Sequence, residues 1–284
     1  MAEQFKAACV IGWPVEHSRS PLIHNYWLTR YGISGEYRRE LVPPEEFPSF
    51  VRSLAARGYV GANVTLPHKE AALALTSPDD RARAVGAANT LWLDDNVLRS
   101  TNTDVEGFLD NLDSSAPGWD RDRSKAVVLG AGGAARAVIY GLLARGVERL
   151  VLINRTRDRA ELLAAQFGRH VQTEGWDSLA GALIGASLVV NTTSLGMSGQ
   201  PDLIVDLSPL PDQAVVADLV YVPVRTALIA AAQARGLRIA DGLGMLLHQA
   251  VRGFTLWFGR RPEVTAELRA LLEADLGTAA PTID

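Results

Sequence analysis

The segment Val127-Val128-Leu129-Gly130-Ala131-Gly132-Gly133-Ala134-Ala135-Arg136 restricts the fold more than any other: an apolar β-type run, a glycine turn, then the opening of a helix. Its glycines read G-x-G-x-x-A. Gly130 permits the tight turn, Gly132 lets the backbone approach a diphosphate, and Ala135 is small enough for the helix to pack on the strand. The helix start contributes amide donors and the positive end of its dipole. A strand before and an amphipathic helix after are the context that a dinucleotide-binding βαβ unit requires. Gly130, Ala131, Gly132, Gly133 and Ala134 are therefore candidate cofactor-binding residues.

Around this segment, short apolar β-branched runs alternate with longer helix-like stretches, as in α/β architecture with parallel strands. Expected strands in the first third are Ala7–Ile11, Glu36–Leu41, Tyr59–Val64 and Asn89–Leu93, with helix-like segments at Pro21–Tyr31, Glu45–Arg57 and His68–Leu75. The polar, turn-rich stretch Asp113–Ser124 reads as a loop before a second unit, which starts at the strand Ala126–Leu129 and runs to about Arg238. Two helical segments follow, Leu243–Phe258 and Pro262–Leu276. The expected fold is α/β with two domains. Residues 1–104 with 239–284 are expected to form a substrate domain and residues 105–238 a doubly wound Rossmann domain; the C-terminal helices could dock back on the first domain, a packing that the sequence alone leaves open.

The strand Leu150–Ile153 ends in Asn154-Arg155-Thr156, about 22 residues beyond Gly132. An NAD site wants an acid there for the ribose hydroxyls. An amide and arginines stand instead, with Arg159 one helical turn further on. A guanidinium binds a 2′-phosphate bidentately where a carboxylate repels it, so the expected cofactor is NADP. Alternatively, Arg155, Arg157 and Arg159 are a solvated helix start, although cations there oppose the dipole.

Three polar clusters lie in the first domain. In Gly12 to Pro21, Pro21 biases Ser20 toward extended backbone, and residues two apart on extended chain face the same way. Ser18 and Ser20 would then present two hydroxyls to one anion; equally, Ser20 caps the helix that Pro21 opens. In Gly61 to Lys69, Asn63 and Thr65 form a polar face at a strand end and Pro67 starts a helix. Lys69 falls in that helix's first turn, where the dipole favours its neutral form and suits proton transfer; alone, it reads as a solvated lysine. In Ser100 to Glu106, Thr103 and Glu106 fit a capping box, which makes Asp104 a first-turn carboxylate. Asn89 adds a polar residue at the head of a strand.

Taken together these clusters resemble the shikimate dehydrogenase family along almost the whole chain. The strings are H-S-x-S-P-x-x-H-N (His17 to Asn25), N-V-T-x-P-x-K (Asn63 to Lys69), N-T-D (Asn102 to Asp104) and G-A-G-G-A-A-R (Gly130 to Arg136). They continue as N-R-T-x-x-R-A (Asn154 to Ala160), N-T-T-S-L-G-M (Asn191 to Met197), D-L-V-Y-x-P (Asp218 to Pro223) and G-L-G-M-L-x-x-Q (Gly242 to Gln249). The resemblance implies reversible reduction of 3-dehydroshikimate to shikimate with NADPH. It implies Ser18 and Ser20 on the substrate carboxylate, and Asn63, Thr65, Asn89, Asp104 and Gln249 on the ring hydroxyls with Tyr221 nearby. Lys69 would be the acid–base residue and Asp104 its partner. Asn154, Arg155, Thr156 and Arg159 would read the 2′-phosphate, and Met197, Leu219 and Gly242 would line the nicotinamide side. Two departures stand out: Ser100 and Val105 occupy positions where the family usually has glycine.

Quinate or aminoshikimate dehydrogenation on the same scaffold is the nearest alternative. A methylenetetrahydrofolate dehydrogenase-like enzyme gives no role to the paired serines or N-T-D, and a non-enzymatic NADP-binding regulator gives none to Lys69 with Asp104. A net charge of −4, from 28 basic and 32 acidic residues without blocks, argues against a nucleic-acid partner or a polybasic membrane contact. Five scattered histidines and the single Cys9 show no metal-ligand spacing. Without a signal-peptide pattern or a long apolar run, the chain is expected to be cytoplasmic, a monomer or a homodimer with a small-molecule substrate.

Overall fold

The structure, a computed structural model, describes residues 5–278. The chain divides into two compact units: Met1–Asp104 with Gln249–Leu272, and Val105–His248 with Glu273–Asp284.

In the first unit, the strands are β1 (Lys6–Gly12), β2 (Gly35–Leu41), β3 (Tyr59–Val64), β4 (Ser77–Pro78), β5 (Thr90–Asp94) and β6 (Val97–Thr101). They form one sheet in the order β2-β1-β3-β5-β6-β4. The sheet is mixed: β1 runs parallel to β2 and β3, whereas β5 is antiparallel to β3 and to β6. The antiparallel pairs depart from the parallel strand pattern read in the sequence, while the α/β class stands. The reason lies in Asp95 and Asn96, which hold positive φ of 47° and 64° and make a two-residue turn between β5 and β6. Aspartate and asparagine tolerate that left-handed backbone, whose twist suits a hairpin.

Four helices accompany this sheet: α1 (Ser20–Tyr31), α2 (Phe47–Arg52), α3 (Lys69–Leu75) and α4 (Asp80–Val85). The second of them is shorter than the helix-like stretch expected at Glu45–Arg57. One face of the sheet buries Cys9, Ile11, Phe50, Val51, Leu54, Ala62, Val64 and Leu91 together. To this unit belong the residues of α10 (Gly242–Phe258) from Gln249 onward and the chain that follows as far as Leu272. The Trp257 indole donates to Leu91 O at 2.8 Å, and Trp27 Nε1 donates to Glu263 O at 3.0 Å. A Cβ at Gly61 would collide with the Trp257 ring, so this glycine makes the room that the indole fills. Truncating a buried aromatic of this kind costs about 3–5 kcal/mol.

The second unit carries β7 (Lys125–Leu129), β8 (Arg149–Ile153), β9 (Val171–Glu174), β10 (Leu188–Asn191), β11 (Val215–Asp218) and β12 (Arg238–Ala240). Its sheet order is β12-β11-β10-β7-β8-β9, with every pair parallel. Alternate residues enter different cores: Ala126, Val128, Leu150 and Leu152 pack in one, Val127, Leu129, Val151 and Ile153 in the other. A strand buried on both faces reads as a continuous apolar run, and this is the doubly wound Rossmann arrangement. The helices are α5 (Asp104–Ser115), α6 (Gly133–Ala144), α7 (Arg157–Phe167), α8 (Leu179–Leu183) and α9 (Ala227–Ala234); α11 (Ala266–Thr278), last in the chain, belongs to the first unit as far as Leu272.

The stretch Asp113–Ser124 is only partly the expected loop. Helix α5 continues to Ser115, and a single 3-10 turn forms at Trp119–Arg121 because Trp119 is drawn into the core. Its indole donates to Asp113 Oδ1 at 2.8 Å. Among the described residues no helix is long and apolar enough to cross a membrane.

Candidate active site

The pair expected to carry proton transfer is brought together. Lys69, the first residue of α3, donates from Nζ to Asp104 Oδ2 at 2.6 Å. Their side chains are 28 % and 16 % exposed, open enough for a ligand and shielded enough to keep their pairing from dissolving into solvent. Asn89 orients the aspartate by donating Nδ2 to Oδ1 at 2.8 Å. Asn89 is fixed in turn, because its Oδ1 accepts from Thr103 N at 2.8 Å and from the Thr90 hydroxyl at 3.1 Å.

The expected capping box at Thr103 gives way to this network. Thr103 Oγ1 turns to Asn89 Oδ1 at 3.2 Å and to Thr90 Oγ1 at 3.1 Å, and Asn102 Oδ1 takes the Asp104 amide at 3.1 Å. Two buried asparagines thus place the catalytic candidates, one through backbone and one through side chain. Ser100, which replaces a usual glycine, is buried and accepts from Thr76 Oγ1 at 2.7 Å. Val105, the other departure, is buried.

Asn63 closes the network at the end of β3, donating Nδ2 to Asn89 O at 3.2 Å and to Thr90 Oγ1 at 3.1 Å. Its Oδ1 accepts from the Tyr37 hydroxyl at 2.6 Å, a partner the sequence reading did not single out. The only signal was a lone aromatic in the otherwise polar strand Gly35–Leu41. Thr65 follows β3 and is half-buried, with its amide on Ile11 O at 2.9 Å.

Ser20 is not on extended backbone: it is the first residue of α1, preceded by Arg19 at φ −93° and ψ −1°, because Pro21 fits a helix start. Ser18 Oγ accepts from Ser20 N at 3.3 Å, so Ser18 rather than Ser20 takes the first amide. The loop is tethered by Arg39, whose guanidinium donates twice to Ser18 O at 3.1 and 2.7 Å. Gln249 is half-buried on α10 and belongs to this first unit.

In the second unit, Gly130 adopts φ +102°, and a Cβ there would lie 2.8 Å from Thr192 Oγ1 and from Thr193 Cγ2. Around Gly132 and Gly133 a Cβ would meet nothing within 4 Å, so the loop's outer face is open. Gly132 caps α6 without any side-chain hydrogen bond, which leaves the first amides of that helix, with Ala134 in its first turn, for an anion. The Ala131 amide donates to Asn154 Oδ1 at 3.2 Å, and Asn154 Nδ2 donates to Thr156 O at 2.7 Å. Asn154 therefore joins the glycine turn to the next strand end, where an acid would stand in an NAD site.

Asn154, Arg155 and Arg157 line a cavity of about 560 Å³ with Thr173, Glu174, Gly175 and Trp176. Arg157 is held by Glu161 at 2.8 Å; Arg159 is exposed on the same helix and is not among the lining residues. Open glycines, uncapped amides and cations beyond β8 fit the diphosphate and 2′-phosphate of a dinucleotide.

Asp218, another residue that sequence reasoning did not single out, shapes the segment after β11. It is buried, accepts from Thr226 Oγ1 at 2.6 Å, Val220 N at 3.0 Å and Asn191 Nδ2 at 2.8 Å, and burial raises its carboxyl above the ordinary value. Leu219 and Tyr221, both half-buried, lie on the loop so held. Gly242 is buried where a Cβ would strike the Leu219 and Val220 carbonyls, and Met197 is 42 % exposed.

Comparisons with known proteins agree with this architecture. Residues 10–91 match the shikimate dehydrogenase substrate binding domain, 115–206 the shikimate/quinate 5-dehydrogenase domain and 242–272 the shikimate 5′-dehydrogenase C-terminal domain. A shikimate dehydrogenase (NADP(+)) of Rhodopseudomonas palustris strain TIE-1 is 67 % identical over 97 % of this chain and 99 % of its own. One from Nitrobacter hamburgensis is 63 % identical over 97 % of this chain and 96 % of its own. Among solved structures, Thermus thermophilus shikimate 5-dehydrogenase in complex with NADP(H) and shikimate is 34 % identical, with TM-score 0.82 over 97 % of this chain and all of that one. Quinate dehydrogenase from Corynebacterium glutamicum in complex with NAD is 30 % identical, with TM-score 0.87 over 95 % of this chain and all of that one. The chain belongs to the shikimate dehydrogenase family.

Proposed function

We propose that this protein is an NADP-dependent oxidoreductase that interconverts 3-dehydroshikimate and shikimate. The observation that carries the reading is the Lys69–Asp104 pair at 2.6 Å, held by Asn89, in a chain that also bears an open G-x-G-x-x-A turn without a following acid. Support for shikimate over quinate, and for NADP over NAD, comes from relatives above 60 % identity that are named for those compounds.

In this reading Ser18 and Ser20 bind the substrate carboxylate. Asn63, Thr65, Asn89, Asp104 and Gln249 hold the ring hydroxyls, with Tyr221 near the ring. Gly130, Ala131, Gly132, Gly133 and Ala134 hold the cofactor diphosphate; Asn154, Arg155, Thr156 and Arg159 the 2′-phosphate; Met197, Leu219 and Gly242 the nicotinamide side. NADPH, when bound, supplies the hydride for the C3 carbonyl carbon. Lys69 gives a proton from Nζ to the carbonyl oxygen as negative charge develops there, and takes it back in the reverse direction. Asp104 keeps the lysine aimed and accepts from a ring hydroxyl with a remaining lone pair. The enzyme is taken as cytoplasmic, a monomer or a homodimer.

The test is turnover with shikimate and with quinate, each with NADP and with NAD, followed at the nicotinamide absorbance band. The expected result is a clear preference for shikimate with NADP. Quinate carries one extra hydroxyl on ring carbon 1 beside the serines, and exclusion of one hydroxyl is worth about 100-fold. Equal kcat/KM for the two acids would leave a dehydrogenase but not this one.

A further inference from the structure

Asn63 is engaged on both ends before any substrate arrives. Its Nδ2 donates to Asn89 O and to Thr90 Oγ1, and its Oδ1 accepts from Tyr37 Oη at 2.6 Å. The amide has no freedom to turn over. Asn89 O can only accept, so the nitrogen must face it and the oxygen must face Tyr37. The phenol therefore directs its single hydrogen at Asn63. What remains to a ligand is one lone pair on Oδ1 and no hydrogen.

The chain invests several groups in that phenol. Tyr37 is 3 % exposed, and burial pushes its ionisation well above the ordinary value, so it stays a donor. His24 stacks on its ring at 4.2 Å and 12°. Asn25 pairs with both backbone groups of Tyr37: Oδ1 accepts its amide at 2.9 Å and Nδ2 donates to its carbonyl at 3.0 Å. The last two residues of the H-S-x-S-P-x-x-H-N string, which the proposed chemistry leaves without a role, thus both serve Tyr37.

We propose that Tyr37 is a positioning residue for substrate recognition: with Asn89 O fixing the Asn63 amide as an acceptor, the phenol donates into Oδ1, holds that oxygen in place and polarises it, and so favours a ring position bearing a hydroxyl that donates. This rests on the reading of the protein as a shikimate dehydrogenase. Shikimate has two hydroxyls besides the reacting one, at carbons 4 and 5, and one of them meets Asn63.

The decisive variant is Tyr37→Phe, which keeps the ring and its stack. Losing one buried hydrogen-bond donor should raise KM for shikimate roughly 5- to 30-fold. The value of kcat should stay within about threefold, and KM for NADP should be unchanged. The increase should be absent for either 4-deoxy- or 5-deoxyshikimate, which a purely structural defect would not achieve. A second measurement needs no variant. In the wild type the deoxyfluoro analogue at the sensitive carbon, which keeps an acceptor and lacks a donor, should bind as weakly as the deoxy analogue. A KM for shikimate unchanged in Tyr37→Phe, an equal penalty on both deoxy analogues, or a deoxyfluoro analogue that binds like shikimate would overturn the role of Tyr37 and leave the enzyme reading intact. A wild type inactive on shikimate would overturn both.

Discussion

Lys69 and Asp104 illustrate how little one residue says alone. Each is a common type at a helix start, where a lysine is normally solvated and an aspartate normally complements the dipole. Their meaning comes from being 2.6 Å apart across 35 positions of sequence, with Asn89 holding the far oxygen. Lys69→Ala should lower kcat by about 100- to 10,000-fold, the span for losing a general acid–base group, and steady-state rates with shikimate measure it. A variant keeping more than half of wild-type kcat removes Lys69 from the chemistry. Asp104→Asn separates a catalytic from a structural role. An amide keeps an oxygen for Asn89 but loses the charge that holds the ammonium, so kcat should fall at least about tenfold. Stability should change by less than about 1 kcal/mol, as expected for one first-turn charge. A sharp fall in Tm with near-normal kcat would instead make Asp104 a helix-start residue.

At the scale of elements, the strands and the glycine turn were legible because their signals are local. A doubly buried strand is an uninterrupted apolar run, and a turn before a helix needs glycine wherever φ is positive, as at Gly130. The hairpin β5–β6 was missed because Leu98 and Ser100 are far less regular than an alternating strand, and its turn is Asp-Asn rather than the stronger Asn-Gly pair. Tyr37 and Asp218 were missed for a different reason: their partners, Asn63 and Thr226 among them, come into reach only when separate elements fold together. The loop after β8 gives a prediction of its own. No acid ends that strand, so NAD has no ribose anchor, whereas Arg155 and Arg159 are proposed to read the extra phosphate. The double variant Arg155→Ala/Arg159→Ala should raise KM for NADP about 30-fold or more while leaving KM for NAD nearly unchanged. Equal losses for both cofactors in the double variant would assign these arginines to something other than the phosphate.

For the whole molecule, one weakness against acid lies in a buried ring. His24 is fully buried between Tyr37 and Phe254, 4.2 and 6.0 Å away, and neither ring nitrogen has a hydrogen-bond partner among the described residues. Burial opposes its charging and lowers its pKa to about 3. The unfolded chain takes up that proton near pH 6.5, the ordinary value for histidine. Between those two values the unfolded state binds more protons than the folded state, so the free energy of unfolding falls as the pH falls. Each pH unit in that window removes about 1.4 kcal/mol, so lowering the pH from 7 to 5 should remove about 2 kcal/mol through this residue alone. His24→Phe keeps the stacked ring, replaces two unpartnered nitrogens with carbon and abolishes the titration. Urea unfolding at both pH values, for wild type and variant, isolates the contribution, since every other titrating group is shared. The variant should lose about 2 kcal/mol less than the wild type on acidification. Equal losses would mean that the folded protein accepts a proton at His24 well above pH 3, and that the packing around the Tyr37 ring opens more readily than its burial implies.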